Sequence, residues 1–320
     1  MTQLFGSAIR SLPYPLFLRL FSLHRRLLAM PKERRVAAQA KLPLLDGLDL
    51  SRHKRSDTLF VLASGSSINQ ISAARWDAIA QHDSVGFNFW LYHRFVPSLF
   101  IFENVWRSYA PETYDRLRAA MQERASDYRD VPKIVMDFDD CELPLVLDLP
   151  EQWRAHLFAV MELTLPARTA EEVAYGLRYF RARGAFCASS PVQSLFKYGS
   201  TLTSIVALGA RMQYRRIVLC GVDLSDGRYF YQDSVRYPRT RDLEFMHRAQ
   251  LHLTEQPVAW RVPASQVVLE MKRHVLDPAG IELYVENTSS RLYPEVPLAP
   301  DSLFQLPAEQ ALHGLREKRC

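Results

Sequence analysis

The sequence has few cysteines, and their spacing excludes the simplest metal and disulfide frameworks. They lie far apart and include no CxxC pair, at Cys141, Cys187, Cys220 and Cys320. A structural zinc site or a disulfide-built domain needs closely spaced or regularly repeated cysteines. The pattern therefore predicts neither, and it favours a reducing compartment.

Long hydrophobic runs are also missing. No stretch reaches the roughly 18 to 20 apolar residues that a membrane-spanning helix requires. The apolar residues near the N-terminus are interrupted by Arg10, Arg19, Arg25 and Arg26, and no small-residue cleavage site follows them. We therefore expect neither a signal peptide nor an integral membrane protein, but a cytoplasmic one.

The sequence has no repeats and no low-complexity tracts, and its 48% apolar and 23% charged residues are typical of globular proteins. Its 320 residues accommodate one large domain with additions. A net charge of +5 suits an anionic ligand or an anionic membrane surface. Because the basic residues form no recognisable nucleic-acid motif, we predict no nucleic-acid partner.

Residues 1–50 form a basic amphipathic extension. Between positions 5 and 28 the apolar residues follow nearly helical spacing with arginines among them, and Pro13 and Pro15 predict a division into two short helices. Two interpretations stay open. The segment lies in the headgroup layer of the inner membrane as a peripheral contact, or it packs on the main domain.

Residues 57–300 alternate between apolar runs of strand length and helical patterns. Strands are predicted at 58–63, 84–88, 98–103, 133–137, 216–220 and 281–285, and helices at 73–81, 112–126, 169–183, 201–213 and 264–275. This order predicts an α/β fold with a doubly wound, mainly parallel Rossmann-like sheet. Residues 225–262, rich in charged and aromatic side chains, are predicted to form a small lid subdomain, and residues 301–320 a C-terminal tail.

A hydroxyl-rich turn follows the first predicted strand, in FVLASGSSINQI. At such a strand-to-helix junction the backbone N–H groups face the carboxyl edge of the sheet, where phosphate binds. Gly65 permits close approach of a ligand, and the neighbouring serines donate hydrogen bonds. The alternative is an ordinary tight turn with a serine cap; a dinucleotide fingerprint is absent, because GxGxxG needs more glycines.

A second motif, RIVLCGVD, brings Gly221 and Asp223 to the same edge of the sheet, where loops carry ligand contacts. A turn or helix cap is the other interpretation of Asp223. Taken with their separation, the two motifs resemble those of the bacterial sialyltransferases that use CMP-activated sialic acid, a family 42-like glycosyltransferase group. Further stretches that look similar are SVGFNFWLYHR, SLFIFENVW, YGSTLTSIVALG and IELYVENTSSRL.

The resemblance spans residues 58–300 in order and implies one Rossmann-like domain, a GT-A-like variant, with a lid. It also implies a donor site. Its residues would be Ser64, Gly65, Ser66, Ser67, Asn88, Asn104, Ser200, Thr201 and Asp223. The family asparagine assigned to Asn104 falls equally on Glu103, and Ser200 and Thr201 match a hydroxyl pair that holds the donor carboxylate or the adjoining sugar.

The resemblance further assigns catalytic roles. Of two lid tyrosines that hydrogen-bond the leaving phosphate, one matches Tyr229, while the other position is Ser225 in this chain. A lid histidine is the general base, for which an imidazole is suited at cytoplasmic pH. His247 is the favoured match and His252 the alternative, each of which could equally be a surface histidine.

The implied activity is inverting transfer of a 2-keto sugar acid, sialic acid or a relative such as Kdo, from a CMP-sugar donor. The acceptor is a glycan or glycolipid hydroxyl in capsule, surface polysaccharide or lipopolysaccharide synthesis. No cofactor is expected, and a divalent metal is not expected to be essential. The sequence leaves the sugar, acceptor, linkage and oligomeric state open.

Two other functions stay open. Asp137, Asp139 and Asp140 in MDFDD look like the DxD of transferases that hold a metal on a nucleotide-diphosphate sugar. The second alternative is a noncatalytic protein that binds CMP and takes part in surface-glycan synthesis. The arginines of SVRYPRTRD suit an anionic ligand, although such a run is commonly a solvated surface.

Overall fold

The structure is a computed structural model that describes residues 12–45, 50–105, 107–108, 110–138, 145–187, 194–243 and 251–305. Within these ranges no helix is long and apolar enough to cross a bilayer.

The N-terminal part is one nearly continuous helical segment. Helix α1 spans Tyr14–His24, a π-helical turn covers Arg25–Ala29, and α2 spans Met30–Gln39. Pro15 lies in the first turn of α1. Backbone N–H groups in the first turn make no hydrogen bond within the helix, so a proline there removes none. Pro13 and Pro15 therefore stand at the start of α1. The first of the two predicted short helices would precede them and lies outside the described residues.

A parallel sheet of seven strands forms the centre of the domain. Its strands are β1 Thr58–Leu62, β2 Asp83–Phe87, β3 Leu99–Glu103, β4 Lys133–Met136, β5 Leu157–Ala159, β8 Arg216–Cys220 and β9 Glu282–Val285. A separate pair consists of β6 Met161–Thr164 and β7 Ser194–Lys197. The order in the sheet is β5-β4-β3-β2-β1-β8-β9, and every pairing is parallel.

Helices cover both faces of this sheet. They are α4 Ala73–Ile79, α5 Pro111–Glu123, α6 Glu151–Arg154, α7 Ala170–Arg181, α8 Thr201–Arg211 and α9 Ala264–Met271, while the short helix α3 Leu50–His53 precedes β1. Alternate residues of β1 belong to different cores, with Leu59 and Val61 on one side and Phe60 and Leu62 on the other. The fold is therefore the predicted doubly wound, Rossmann-like α/β fold.

The sequence predicted neither β5 nor the pair β6 and β7. Strand β6 follows β5 after a single residue, Val160, whose N–H donates to the carbonyl of Val135 in the main sheet at 3.0 Å. The chain leaves the sheet at this point and pairs with β7, which ends beside the start of α8.

The chain adds strands on one side of β1 up to β5 and then crosses to the other side with β8. Such a reversal opens a crevice at the carboxyl ends of the two flanking strands, and ligands bind there in open α/β sheets. The two sequence motifs described above follow β1 and β8, so both lie at this crevice.

Candidate functional site

A cavity of about 290 Å³ lies at the carboxyl ends of β1, β2, β3 and β8. Its walls come from the turns after these strands, the start of α8, and residues of the predicted lid. Its polar and aromatic lining includes Ser64, Asn88, Glu103, Ser200, Thr201, Asp223, Tyr229, Tyr231 and His252. The cavity therefore joins residues that are far apart in the sequence, from Ala63 to Ala264.

The turns after β1 and β8 pack directly on each other. The Gly65 N–H donates to the carbonyl of Gly221 at 2.8 Å, and a Cβ atom on Gly65 would lie 2.4 Å from that oxygen. Asp223, which is buried, accepts the backbone N–H of Ser67 at 3.0 Å and also its hydroxyl. Asp223 thus ties the two turns together, and Gly65 is required for their close approach.

A hydrogen-bonded cluster lies across the cavity from these turns. Thr201 donates its hydroxyl to Glu103 Oε1 at 2.9 Å, and Asn88 Nδ2 lies 3.4 Å from the same hydroxyl. Asn88 has a left-handed backbone (φ 49°) and accepts the Glu103 N–H at 3.2 Å. An asparagine tolerates this conformation better than most residues, and here it links the ends of β2 and β3 to α8.

Behind Glu103, a half-buried lysine connects the cavity to the small β6–β7 pair. Lys197 Nζ lies 3.1 Å from Glu103 Oε1 and 2.7 Å from Glu162 Oε1. Burial raises the pKa of Glu162 to about 7, although Lys197 opposes this effect. Burial alone would lower the pKa of Lys197, but Glu103 and Glu162 raise it above its ordinary value, so the amine stays charged.

The N-terminus of α8 faces the cavity through Ser200 and Thr201. The eleven residues of this helix are all buried, so its dipole acts through a medium of low dielectric constant. The Ser200 hydroxyl is shielded from solvent and has no hydrogen-bond partner in the described part of the chain. Buried polar groups are nearly always hydrogen-bonded, so this hydroxyl needs a partner, which a ligand in the cavity supplies once the hydroxyl turns toward it.

The predicted lid contributes Tyr229, Tyr231 and His252 to the cavity. The segment is attached to the β1 turn, because the Phe230 N–H donates to the Ser64 carbonyl at 2.9 Å. Tyr229 stacks on Tyr231 with ring centroids 5.2 Å apart, and its hydroxyl lies 3.3 Å from His252 Nε2. Burial raises the pKa of Tyr229 to about 12, so the phenol keeps its proton at neutral pH.

The tautomer of His252 follows from its neighbour Thr254. The Thr254 N–H points at Nδ1 at 3.3 Å, and its hydroxyl lies 2.8 Å from the same nitrogen. Since Nδ1 accepts the backbone N–H, the proton of the neutral ring is on Nε2, which faces Tyr229. His252 therefore donates to the tyrosine oxygen, and a phenol that accepts this bond retains its own proton for donation.

Most of the predicted donor residues lie together. Ser64, Gly65, Asn88, Ser200, Thr201, Asp223 and Tyr229 line the cavity. Ser66 and Ser67 stand just behind it, since both contact Asp223. Asn104 is buried beneath the cavity, where its Nδ2 donates to the carbonyl of Asp137 at 3.3 Å. Of the two residues matched to the second family asparagine, Glu103 is thus the one at the cavity.

Other assignments fall partly outside the described residues, which include Asp137 but neither Asp139 nor Asp140, and His252 but not His247. Within the described ranges no three His, Cys, Asp or Glu side chains come together as a metal site. Of the arginines in SVRYPRTRD, Arg236 donates to the Asn69 carbonyl and Arg239 pairs with Glu123, neither of which lines the cavity. Lys197 was missed, because a lone lysine in SLFK carries no signal of its buried pairing.

No protein-family model matches the sequence, and a comparison with curated proteins finds no match. Among solved structures, the chain is similar to the monofunctional alpha-2,3-sialyltransferase Cst-I from Campylobacter jejuni. The identity is 14% and the TM-score 0.43, over 79% of this chain and 84% of that one. A similarity of this size does not establish a function.

Proposed function

We propose that this protein is a glycosyltransferase that binds a CMP-activated sugar acid, sialic acid or a relative such as Kdo. It transfers the sugar with inversion to a hydroxyl of a surface glycan or glycolipid. The observation that carries the proposal is the Ser200 hydroxyl, which is buried without a partner in the described residues at the cavity end of α8. A helix N-terminus with such a donor favours an anionic group, and the carboxylate of a sugar acid is one.

The rest of the cavity supports the same ligand. The turn of Ser64 and Gly65, where backbone groups of β1 and β8 meet, suits the phosphate of CMP. The phenol of Tyr229, held by His252, donates to the phosphate oxygen as the bond to the sugar breaks and negative charge develops there. The acceptor hydroxyl then attacks the anomeric carbon, CMP leaves with the bonding electrons, and a base takes the acceptor proton.

For that base His247 remains our prediction. His252 takes a different role in this proposal. Its Nδ1 accepts the backbone N–H of Thr254 and its Nε2 proton faces Tyr229, so neither nitrogen is arranged to accept a proton from an acceptor hydroxyl. We assign His252 as the residue that positions Tyr229.

A first experiment measures thermal stabilisation of the full chain by CMP, CDP, UDP and GDP, each with Mg²⁺ and with a chelator. We expect CMP to stabilise the protein both with Mg²⁺ and with the chelator. Stabilisation only by a nucleotide diphosphate with metal would contradict it and favour the DxD function. Binding of CMP-sialic acid or CMP-Kdo without release of CMP in the presence of glycan acceptors would favour the noncatalytic function.

A second experiment tests the carboxylate assignment with Ser200, the N-cap of α8, and Ser204 within the helix. Ser200→Ala removes the hydroxyl at the cavity, whereas Ser204→Ala removes an equally buried hydroxyl that does not line it. We expect Ser200→Ala to weaken binding of CMP-sialic acid about ten-fold, the effect of one lost hydrogen bond to a charged group, and to change CMP binding little. Ser204→Ala should leave both affinities unchanged; equal effects of the two variants would contradict the assignment.

A further inference from the structure

The outer face of the N-terminal helix carries a row of exposed leucines. Leu16, Leu20, Leu23 and Leu27 follow one another at intervals of four, three and four residues, which places them on one side of a helix. Their exposed fractions are 46%, 39%, 52% and 60%. We call these four residues the leucine ridge. Large apolar side chains exposed in a continuous row mark a surface that binds something.

The opposite side of the same helix already has its partners. Leu18 is fully buried, and Tyr14 packs edge-on against Tyr175 of α7 with ring centroids 5.9 Å apart. Arg25 is also buried, where it donates to the Glu162 carbonyl at 2.8 Å and pairs with Glu33 at 2.8 Å. The helix is therefore fixed to the domain through one face, and the leucine ridge points away from the protein.

The charge around the ridge has one sign. Residues 12–45 contain seven arginines and lysines and a single acidic residue, Glu33, which is buried against Arg25. Arg19 and Arg26 are exposed and lie seven residues apart, so they follow one edge of the ridge. Arg35 and Lys41 are exposed further along. The ridge thus combines apolar side chains with guanidinium groups beside them.

We propose that the leucine ridge docks this protein on an anionic lipid surface. The leucines enter the boundary between headgroups and acyl chains, and Arg19 and Arg26 contact lipid phosphates. A second copy fits less well, because a symmetric contact through the ridge would bring the arginines of two basic helices together. The inference does not depend on the proposed function, since its test measures vesicle binding alone.

The test is co-sedimentation of the full chain with vesicles of phosphatidylcholine alone or mixed with phosphatidylglycerol. We expect binding to the mixed vesicles only, and weaker binding when ionic strength rises from about 0.1 M to about 1 M, because the screening length falls from about 10 Å to about 3 Å. Arg19→Gln with Arg26→Gln should weaken binding on the order of ten-fold.

The apolar contribution is tested by Leu20→Gln, Leu23→Gln and Leu27→Gln together, which keeps good helix formers at these positions. This variant should lose binding. The matched control replaces three exposed apolar residues elsewhere, Leu147→Gln, Val235→Gln and Leu298→Gln, and should bind as the wild type does. Circular dichroism confirms that each variant is folded.

Several outcomes would overturn the proposal. One is absence of binding to either vesicle, or equal loss in the ridge variant and its control. Another is a wild-type dimer in analytical ultracentrifugation that the ridge variant abolishes, which would mean that a second copy covers the ridge. A third is vesicle binding that arises only after deletion of residues 306–320, which would mean that this segment covers it.

Discussion

The hydroxyl of Tyr229 lies 3.3 Å from Nε2 of His252, and both side chains line the cavity at the carboxyl edge of the sheet. Thr254 fixes the ring from the other side by donating its backbone N–H to Nδ1. The three residues form a chain in which each hydrogen bond sets the direction of the next. The tyrosine at its end accepts from Nε2 of His252 and keeps its own hydroxyl proton.

We expect Tyr229→Phe to lower kcat for transfer from CMP-sialic acid by roughly 100-fold with little change in KM, because the phenol stabilises charge that develops only in the transition state. Steady-state kinetics with release of CMP as the readout measures both constants. Tyr237→Phe is the matched control, since its hydroxyl contacts Asn69 outside the cavity, and its kinetics should match those of the wild type.

A double-mutant cycle of His252 and Tyr229 tests whether His252 acts only by positioning Tyr229. His252→Asn alone should lower kcat, whereas the same change in the Tyr229→Phe protein should have almost no further effect. A merely structural histidine would instead give additive losses. Additivity of the two substitutions would therefore refute the positioning role.

The fold could be predicted from the sequence more fully than the site. Strands such as β8, RIVLC, are short apolar runs between clear helical patterns, and their bounds were predicted within one or two residues. The β6–β7 pair could not be predicted, because its sequences MELT and SLFK are brief and their pairing joins residues more than 30 positions apart.

Two of the charged residues behind the cavity, Glu162 and Lys197, lie on the β6–β7 pair. Glu162 lies on β6 and Lys197 on β7, and their 2.7 Å contact exists only because the chain leaves the main sheet after β5. The sequence motifs indicated the turns at Ser64 and Gly221, where the backbone itself makes the site. They could not indicate which charged side chains the fold would bury behind it.

A substitution of Glu103 tests how its negative charge affects binding of the CMP-sugar donor. We expect Glu103→Gln to tighten binding of CMP-sialic acid by about five-fold, because a like charge about 4 Å from the sugar carboxylate costs about 1 kcal/mol even in water. Glutamine still accepts the Thr201 hydroxyl, so the cluster should keep its shape. Isothermal titration calorimetry with CMP and with CMP-sialic acid measures the effect.

Binding of CMP alone should change little in Glu103→Gln, and Glu151→Gln at an exposed position on α6 should change neither affinity. Weaker binding of the sugar acid by Glu103→Gln would contradict the expectation. It would mean that the carboxylate of Glu103 accepts a hydrogen bond from a hydroxyl of the sugar.

His93 should make the stability of the protein depend on pH. Its ring is buried beside Trp76 and Trp90, with centroids 4.8 and 4.5 Å away, and its Nδ1 accepts the Phe95 N–H at 3.1 Å. Burial, with the nearby Arg94 and Arg124, lowers its pKa from 6.5 to about 3. Between these values the unfolded chain binds a proton that the folded protein does not, so the free energy of unfolding falls as the pH falls below 6.5.

The expected loss through His93 is about 2 kcal/mol at pH 5 relative to neutral pH. In His93→Asn the amide oxygen can still accept the Phe95 N–H but does not titrate, so this variant should lack that part of the acid destabilisation. Urea unfolding at both pH values measures the difference from the wild type. His156→Asn, at an exposed position, should keep the wild-type pH dependence. A stability difference between wild type and His93→Asn that is the same at both pH values would show that His93 does not titrate differently in the folded protein.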